Sequence, residues 1–404
     1  MRQSMTLAAV ALGAAGPALA QGDDGEWKST VQVSIAGSFV ESEDPAAPAA
    51  EGLMASALLR VSRSDTFDSG LTLGWVGAVR YDRDAPSRPA FSGAFGLCPG
   101  TSPGCPSSGS LAPVAPATGL SVGGTVRQDD GFVAVETAAV TLGGPWGEGS
   151  LGLDSGVAAL LDARAPSVLN RVSAYSPGLD PTGLSVTRAR NDVTGASAKA
   201  SYLSPRWLGI RVGVSYTPEA SGRTADFDPD VGGQGLAGAE LENVWEGAVS
   251  FARQFAEQNL RVRAALTYIS ADSGSGAPGF GDYEAWGGGL ELEGEGWTGG
   301  ARWLSSNNAL AAGGGDYEAW EMGFVRQTED GWRFGLEAGW AEDRLLELEG
   351  SSWLAGVARE ISDNITLGVA WTVSEADIPV PIGVSNGHRN ASNDGLLVEF
   401  TVRN

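Results

Sequence analysis

The stretch Arg206–Pro218, "RWLGIRVGVSYTP", decides the fold class. Ile210, Val212, Val214 and Tyr216 take every second position, and Gly209, Arg211, Gly213, Ser215 and Thr217 fill the places between them. Side chains alternate across a strand with period two, so this extended segment has one apolar and one wet face. Two architectures accept such a strand: a soluble antiparallel sheet over a core, or a closed barrel whose apolar face meets lipid. Where Arg211 points separates them.

The same alternation runs along the chain. Trp332, Phe334, Leu336, Ala338 and Trp340 oppose Arg333, Gly335, Glu337, Gly339 and Ala341, and Ile365, Leu367, Val369, Trp371 and Val373 oppose Thr366, Gly368, Ala370, Thr372 and Ser374. Near the start, Val31, Val33, Ile35 and Phe39 oppose Thr30, Gln32, Ser34 and Ser38. No segment of similar length competes with helical spacing. Short breaks near Ser64, Gly143, Leu203, Ala256, Glu293, Thr328 and Ser362 take turns with longer ones. The longer breaks are 42–52, 84–129, 156–191, 219–240, 272–282, 308–316, 342–347 and 376–393. These cuts predict sixteen strands, seven turns and eight loops, an all-β transmembrane up-and-down antiparallel barrel with long extracellular loops. "DYEAW" recurs at Asp282 and Asp316, one hairpin apart, as a strand-pair repeat would require.

Thirteen tryptophans choose the outward face. Trp146, Trp207, Trp297 and Trp332 stand at the short turns, while Trp245, Trp286, Trp320 and Trp353 begin strands entered from the long-loop side. Two belts at the strand ends match headgroup-level girdles, whereas a soluble sandwich gathers its large aromatics at mid-strand. Arg211 therefore faces water inside the barrel.

Composition agrees. The 404 residues carry 26 Lys+Arg against 49 Asp+Glu, a net charge of −23, with 59 glycines and one histidine, His388. Nothing resembles the basic stripe that nucleic acid demands, and no nucleic-acid partner is expected. Residues 1–20, with Arg2, an apolar run and Ala18-Leu19-Ala20, form a signal peptide, leaving 21–404 as a single barrel domain. Cys98 and Cys105 in "GLCPGTSPGCP" predict a small disulfide-closed loop in an exported chain. "GLSVG" at 119–123 and "GQGLAG" at 233–238 match catalytic and dinucleotide patterns, but lack the following helix that either needs. No cofactor is expected. Asp226, Asp228 and Asp230 offer a possible loop Ca²⁺ site, with a solvated acidic loop as the plainer reading.

The segment "AKASYLSPRWLGIRVGVSYTPEA", Ala198–Ala220, resembles the corresponding hairpin of the Gram-negative general outer-membrane porins. "RVSRSDTFDSGLTLGW" from Arg60, "AVTLGGPWGEGSLGLDSG" from Ala139 and the terminal "DGLLVEFTVRN" are similar to that family too. The chain departs from it in ending on Phe400-Thr401-Val402-Arg403-Asn404, where the family usually ends in phenylalanine. The resemblance implies a sixteen-stranded homotrimer in the outer membrane of a Gram-negative bacterium, against lipid and lipopolysaccharide, passing small hydrophilic solutes and ions. It also implies that the third long loop, Gly156–Asn191, folds into the lumen. Carried onto this chain, the pore constriction sets Asp154, Asp162 and Asp180 against wall residues Arg60, Arg80, Arg211, Arg261, Arg263 and Arg302. Opposed charges there would create a transverse field. Some of these arginines would instead neutralise lumen carboxylates such as Glu136, Glu246, Glu291, Glu321 and Glu337. The excess of acids predicts weak cation preference. The alternatives are a barrel with an occluded lumen acting as enzyme or adhesin, and a soluble secreted β-protein. An inward face rich in Gly, Ser, Thr and Ala favours the open channel, which is not an enzyme.

Overall fold

The computed structural model describes residues 25–42, 52–83, 114–115, 132–175, 179–220, 237–238, 241–274, 280–311, 313–345, 347–379 and 388–404. The leader expected at 1–20, the disulfide loop expected at Cys98–Cys105 and the acidic triplet Asp226, Asp228 and Asp230 lie outside the described residues.

Sixteen antiparallel strands close into one barrel. They are β1 (Lys28–Ser42), β2 (Gly52–Thr66), β3 (Thr72–Arg83), β4 (Phe132–Gly144), β5 (Gly147–Asp154), β6 (Ser197–Leu203), β7 (Ile210–Ala220) and β8 (Leu241–Phe255). β9 (Leu260–Ser273), β10 (Tyr283–Gly294), β11 (Trp297–Ser306), β12 (Tyr317–Gln327), β13 (Trp332–Asp343), β14 (Leu348–Ser362), β15 (Ile365–Pro379) and β16 (His388–Arg403) complete the circuit. Each strand pairs with its chain neighbours, and β1 closes on β16 from Gln32↔Arg403 to Ser42↔Asn393. A two-residue parallel bridge joins Val114–Ala115 to Ala237–Gly238. Tight turns alternate with long loops. The β10–β11 turn is only Glu295-Gly296, and Gly296 sits at φ +66°, where an L side chain is strained and a β-carbon would lie 2.7 Å from the Gln327 carbonyl.

Period-two patterning becomes two opposite surfaces. On β7, Ile210, Val212 and Val214 stand exposed outside, while Ser215 and Thr217 are buried inside. Arg211 points inward, its Nε donating to the Ser204 carbonyl at 3.0 Å and its Nη2 lying 3.6 Å from Glu148 Oε2. Outside, rings meet across strands near both ends: Tyr216–Trp245 at 4.8 Å, Tyr268–Trp286 at 4.5 Å and Trp303–Trp320 at 6.0 Å above, with Trp146–Tyr202 at 6.1 Å and Trp297–Phe324 at 6.3 Å below. Closure leaves no strand edge unpaired, which is what lets a sheet enter hydrocarbon. Among the described residues, no helix is long and apolar enough to cross a membrane.

Buried side chains are found where a porous barrel would hold water. Val157, Val168, Leu169, Val172, Leu184 and Val186, all between β5 and β6, are almost fully covered. The core of this protein is the contact between that loop and the inner wall.

Candidate functional site: the loop-lined constriction

The loop after β5, residues 155–196 and here called L3, opens with the single turn α1 (Val157–Leu160). It then follows the wall strand by strand. Val157 N donates to Ser215 Oγ on β7 at 3.2 Å, and Ala158 N to Glu246 Oε2 on β8 at 3.1 Å. Ser167 Oγ and Val168 N both reach Glu337 Oε1 on β13 at 2.8 Å, and Ala174 N reaches its Oε2 at 3.1 Å. Asn170, Arg171 and Val172 present three consecutive N–H groups to Glu399 on β16 at 2.7, 3.0 and 2.9 Å. The tip goes further, where Arg171 Nε donates to Ser56 on β2 at 3.0 Å and Nη2 meets Asp82 on β3 at 3.1 Å.

L3 then returns along the same wall. Asn393 Nδ2 on β16 donates to the Thr182 carbonyl at 2.7 Å, and Arg188 N donates to Tyr317 Oη on β12 at 2.7 Å. Ala189 N reaches Glu321 Oε1 on β12 at 3.0 Å, Asn191 Nδ2 donates to Thr267 on β9 at 3.1 Å, and Thr194 Oγ1 donates to Glu246 at 2.6 Å. Buried loop N–H groups need acceptors, and four inward glutamates supply them. Tyr175 Oη ties the outgoing limb by donating to the Pro166 carbonyl at 2.7 Å, and burial pushes its phenol upward, so it remains a donor.

The constriction expected from the sequence is rearranged by this course. Asp162 is buried and bound to Arg302 at 2.8 Å, and Arg302 also binds Glu321 at 2.5 Å. Asp180 is buried inside L3, where it accepts from Thr182 N at 2.9 Å, Thr182 Oγ1 at 2.6 Å and Ser185 N at 2.7 Å. Neither acid faces the passage, because Asp162 is taken up by the wall arginine Arg302 and Asp180 by N–H and O–H donors of L3 itself. Asp154 stays half-buried at the end of β5, accepting from Ser155 N at 2.9 Å. Arg80 is likewise buried, 2.9 Å from both Asp82 and Glu136. Arg302 and Arg80 are therefore structural cations. Arg60 is half-buried on the inner face of β2, and Arg211, Arg261 and Arg263 stay open to the lumen, the last two paired with Glu293 at 3.4 Å and Glu291 at 3.1 Å. Glu246, Glu321 and Glu337, read above as acids for arginines to neutralise, act mainly as acceptors for loop backbone, with only Glu321 also taking an arginine.

Residues that the sequence reading passed over matter more. Glu399 and Asp82 anchor the loop, and Arg164, Arg171 and Arg190 are loop cations left at least partly exposed. A signal existed for the anchors. An inward glutamate between or beside inward glycines, as in Gly335-x-Glu337-x-Gly339 and Glu321-x-Gly323, leaves room for a chain and one acceptor to hold it.

A closed sixteen-stranded barrel with a loop hung inside its lumen defines a channel-forming protein of the outer membrane. The chain belongs to the Gram-negative porin family, whose model matches residues 6–378. Solved structures with the same fold include the anion-selective porin from Comamonas acidovorans, at 13% identity over 94% of this chain and 100% of that one, TM-score 0.56. OmpF from Salmonella typhi, solved with daunomycin, is 10% identical over 93% of this chain and 97% of its own, TM-score 0.52. The channel DcaP of Acinetobacter baumannii is 12% identical over 93% and 97%, TM-score 0.52. Among curated proteins, comparison of the sequence finds no match.

Proposed function

We propose that the chain is a passive-diffusion channel for small hydrophilic solutes whose constriction prefers anions. One observation carries this. The L3 acids Asp162, Asp180 and Asp192 are buried, whereas Arg164, Arg171 and Arg190 are not. Open wall arginines have acid partners, and Arg171 and Arg190 lie 3.1 Å from Asp82 and 3.3 Å from Asp192, so the excess charge facing the passage rests mainly on the exposed Arg164. The charge of Arg190, with enclosure by the barrel and the charge of Arg302, lowers the Arg164 guanidinium to about 10, which still leaves it cationic at neutral pH. A net charge of −23 argues the other way only if those acids reach the lumen, and fields weaken within about 8 Å at physiological salt. The Comamonas barrel is described as anion-selective, a statement about that protein.

The leader at 1–20 exports the chain, and the apolar outer band between the aromatic girdles contacts outer-membrane lipid and lipopolysaccharide. The outer face of β1 and β2, where Gly37, Ala55 and Ala57 are small, suits the contact of a homotrimer, which crosslinking of unheated, detergent-solubilised protein would trap.

Reversal potentials in planar bilayers under a salt gradient test the selectivity. The wild type is expected to pass anions preferentially, and Arg164→Glu with Arg190→Glu to shift the potential toward cations. A wild-type cation preference defeats the anion reading, and a folded protein without conductance defeats the channel reading.

A further inference from the structure

We propose that a lane of inward glycines sets the bore of this channel by letting L3 lie flush on the wall. The lane has one glycine on each of six successive strands: Gly289 on β10, Gly300 on β11, Gly323 on β12, Gly335 on β13, Gly356 on β14 and Gly368 on β15. Gly300 lies directly opposite Gly323 and Gly335 directly opposite Gly356, while the other steps are staggered by two residues, as Gly289 pairs with Arg302, Gly323 with Glu337 and Gly368 with Ala358.

The outgoing limb of L3 occupies this lane. A β-carbon at Gly300 would lie 2.8 Å from the Arg164 carbonyl oxygen, and one at Gly335 would lie 2.5 Å from Val168 Cβ. At Gly289 and Gly323 it would run into the carbonyls of Ala163 and Pro166, and at Gly368 into the Leu169 side chain. Two of those obstacles, and the one at Gly300, are backbone, which no rotamer change relieves. Glycines on the opposite face behave differently, as nothing stands within 4 Å of a β-carbon at Gly247 or Gly37. Glycine weakens a strand interior, and its usual justification there is the close approach of another backbone. Here the approaching backbone is the one that narrows the pore. A β-carbon that meets L3 must push it toward the axis, because the wall is a closed, hydrogen-bonded ring and L3 is the softer body, whereas at Gly356 the first obstacle is Ala370 Cβ of the wall at 2.8 Å, with Val168 Cγ1 at 3.0 Å.

The proposal rests on the reading of the chain as an open channel but not on the sign of its selectivity. Its test is single-channel conductance in planar bilayers, with sized sugars as blockers, on variants shown to be folded by their shift on unheated gels. Gly323→Ala is expected to lower conductance and exclude smaller sugars, and Gly335→Val to do so more strongly. Moving the bulk back, by combining Gly335→Val with Val168→Gly, is expected to restore most of the wild-type value, and Gly247→Ala to leave it unchanged. If folded Gly323→Ala conducts as the wild type does, or better, the lane does not set the bore. Should Gly335→Val fail to fold, Gly323→Ala and the double variant still decide. A wild type that does not conduct would sink the channel reading instead.

Discussion

Two arcs of the barrel use the same carboxylate chemistry differently. Along β8–β16, which L3 covers, Glu246, Glu321, Glu337 and Glu399 are nearly solvent-free and spend their oxygens on loop N–H groups. Along β3–β7, which the loop body leaves open, acids meet guanidinium groups: Glu136 with Arg80 at 2.9 Å and Glu148 with Arg211 at 3.6 Å. In the covered arc a lost carboxylate strands backbone that has no access to water. At the part-exposed Glu148–Arg211 pair of the open arc, solvent replaces the missing partner. The lesson is that lumen acids cannot be counted toward ion selectivity until their partners are known.

The contrast is sharpest at Arg302, the one wall arginine of the covered arc bound to two buried acids. Arg302→Leu leaves Asp162 and Glu321 buried without a counter-charge, and breaking a buried pair in this way costs about 3–5 kcal/mol. The folded form on unheated gels should then melt at clearly lower temperature. Adding Glu321→Gln, whose Oε1 can still accept from Ala189 N, and Asp162→Leu should recover much of the loss, and failure of the triple variant to recover would mean that the triad does more than neutralise itself.

Glu399→Ala comes next. It orphans the N–H groups of Asn170, Arg171 and Val172, at about 1–3 kcal/mol for each group left buried and unsatisfied. The barrel closes through strand pairing and should survive. The loop tip should loosen, which would be read as excess open-channel noise and as new protease cleavage near residue 171. Quiet, wild-type traces would remove the distinction between anchoring and neutralising acids.

The smallest effect belongs to the open arc. Arg211→Ala removes a part-exposed ion pair of the kind worth about 0–1 kcal/mol, so melting should hardly move while the reversal potential shifts slightly. A large loss of stability here would erase the difference between the arcs.

Much of this molecule is legible along the chain. Alternation in Arg206–Pro218 is enough to give a strand with an apolar outside, and the tryptophans at strand ends say that lipid covers it. The location of L3 after the "SLGLD" end of β5 also follows from loop length, because 156–191 is one of the long breaks. The constriction was harder to read. Asp162 and Asp180 have the residue type of lumen acids, but whether a carboxylate faces water or a stranded N–H depends on where a loop of some forty residues lies.

Taken alone, the sequence determined whatever depends on neighbours one and two positions away: strand number, the sidedness of each strand, the girdles and the barrel class, since pleating ties sidedness to local order. Tertiary structure alone decided which charges stay open to the lumen and which are buried against the loop. Glu399 and Arg171 are 228 residues apart, and only closure of β16 onto β1 brings the carboxylate to the loop tip. Burial of a charge is a property of what finally surrounds it, and no local pattern records that.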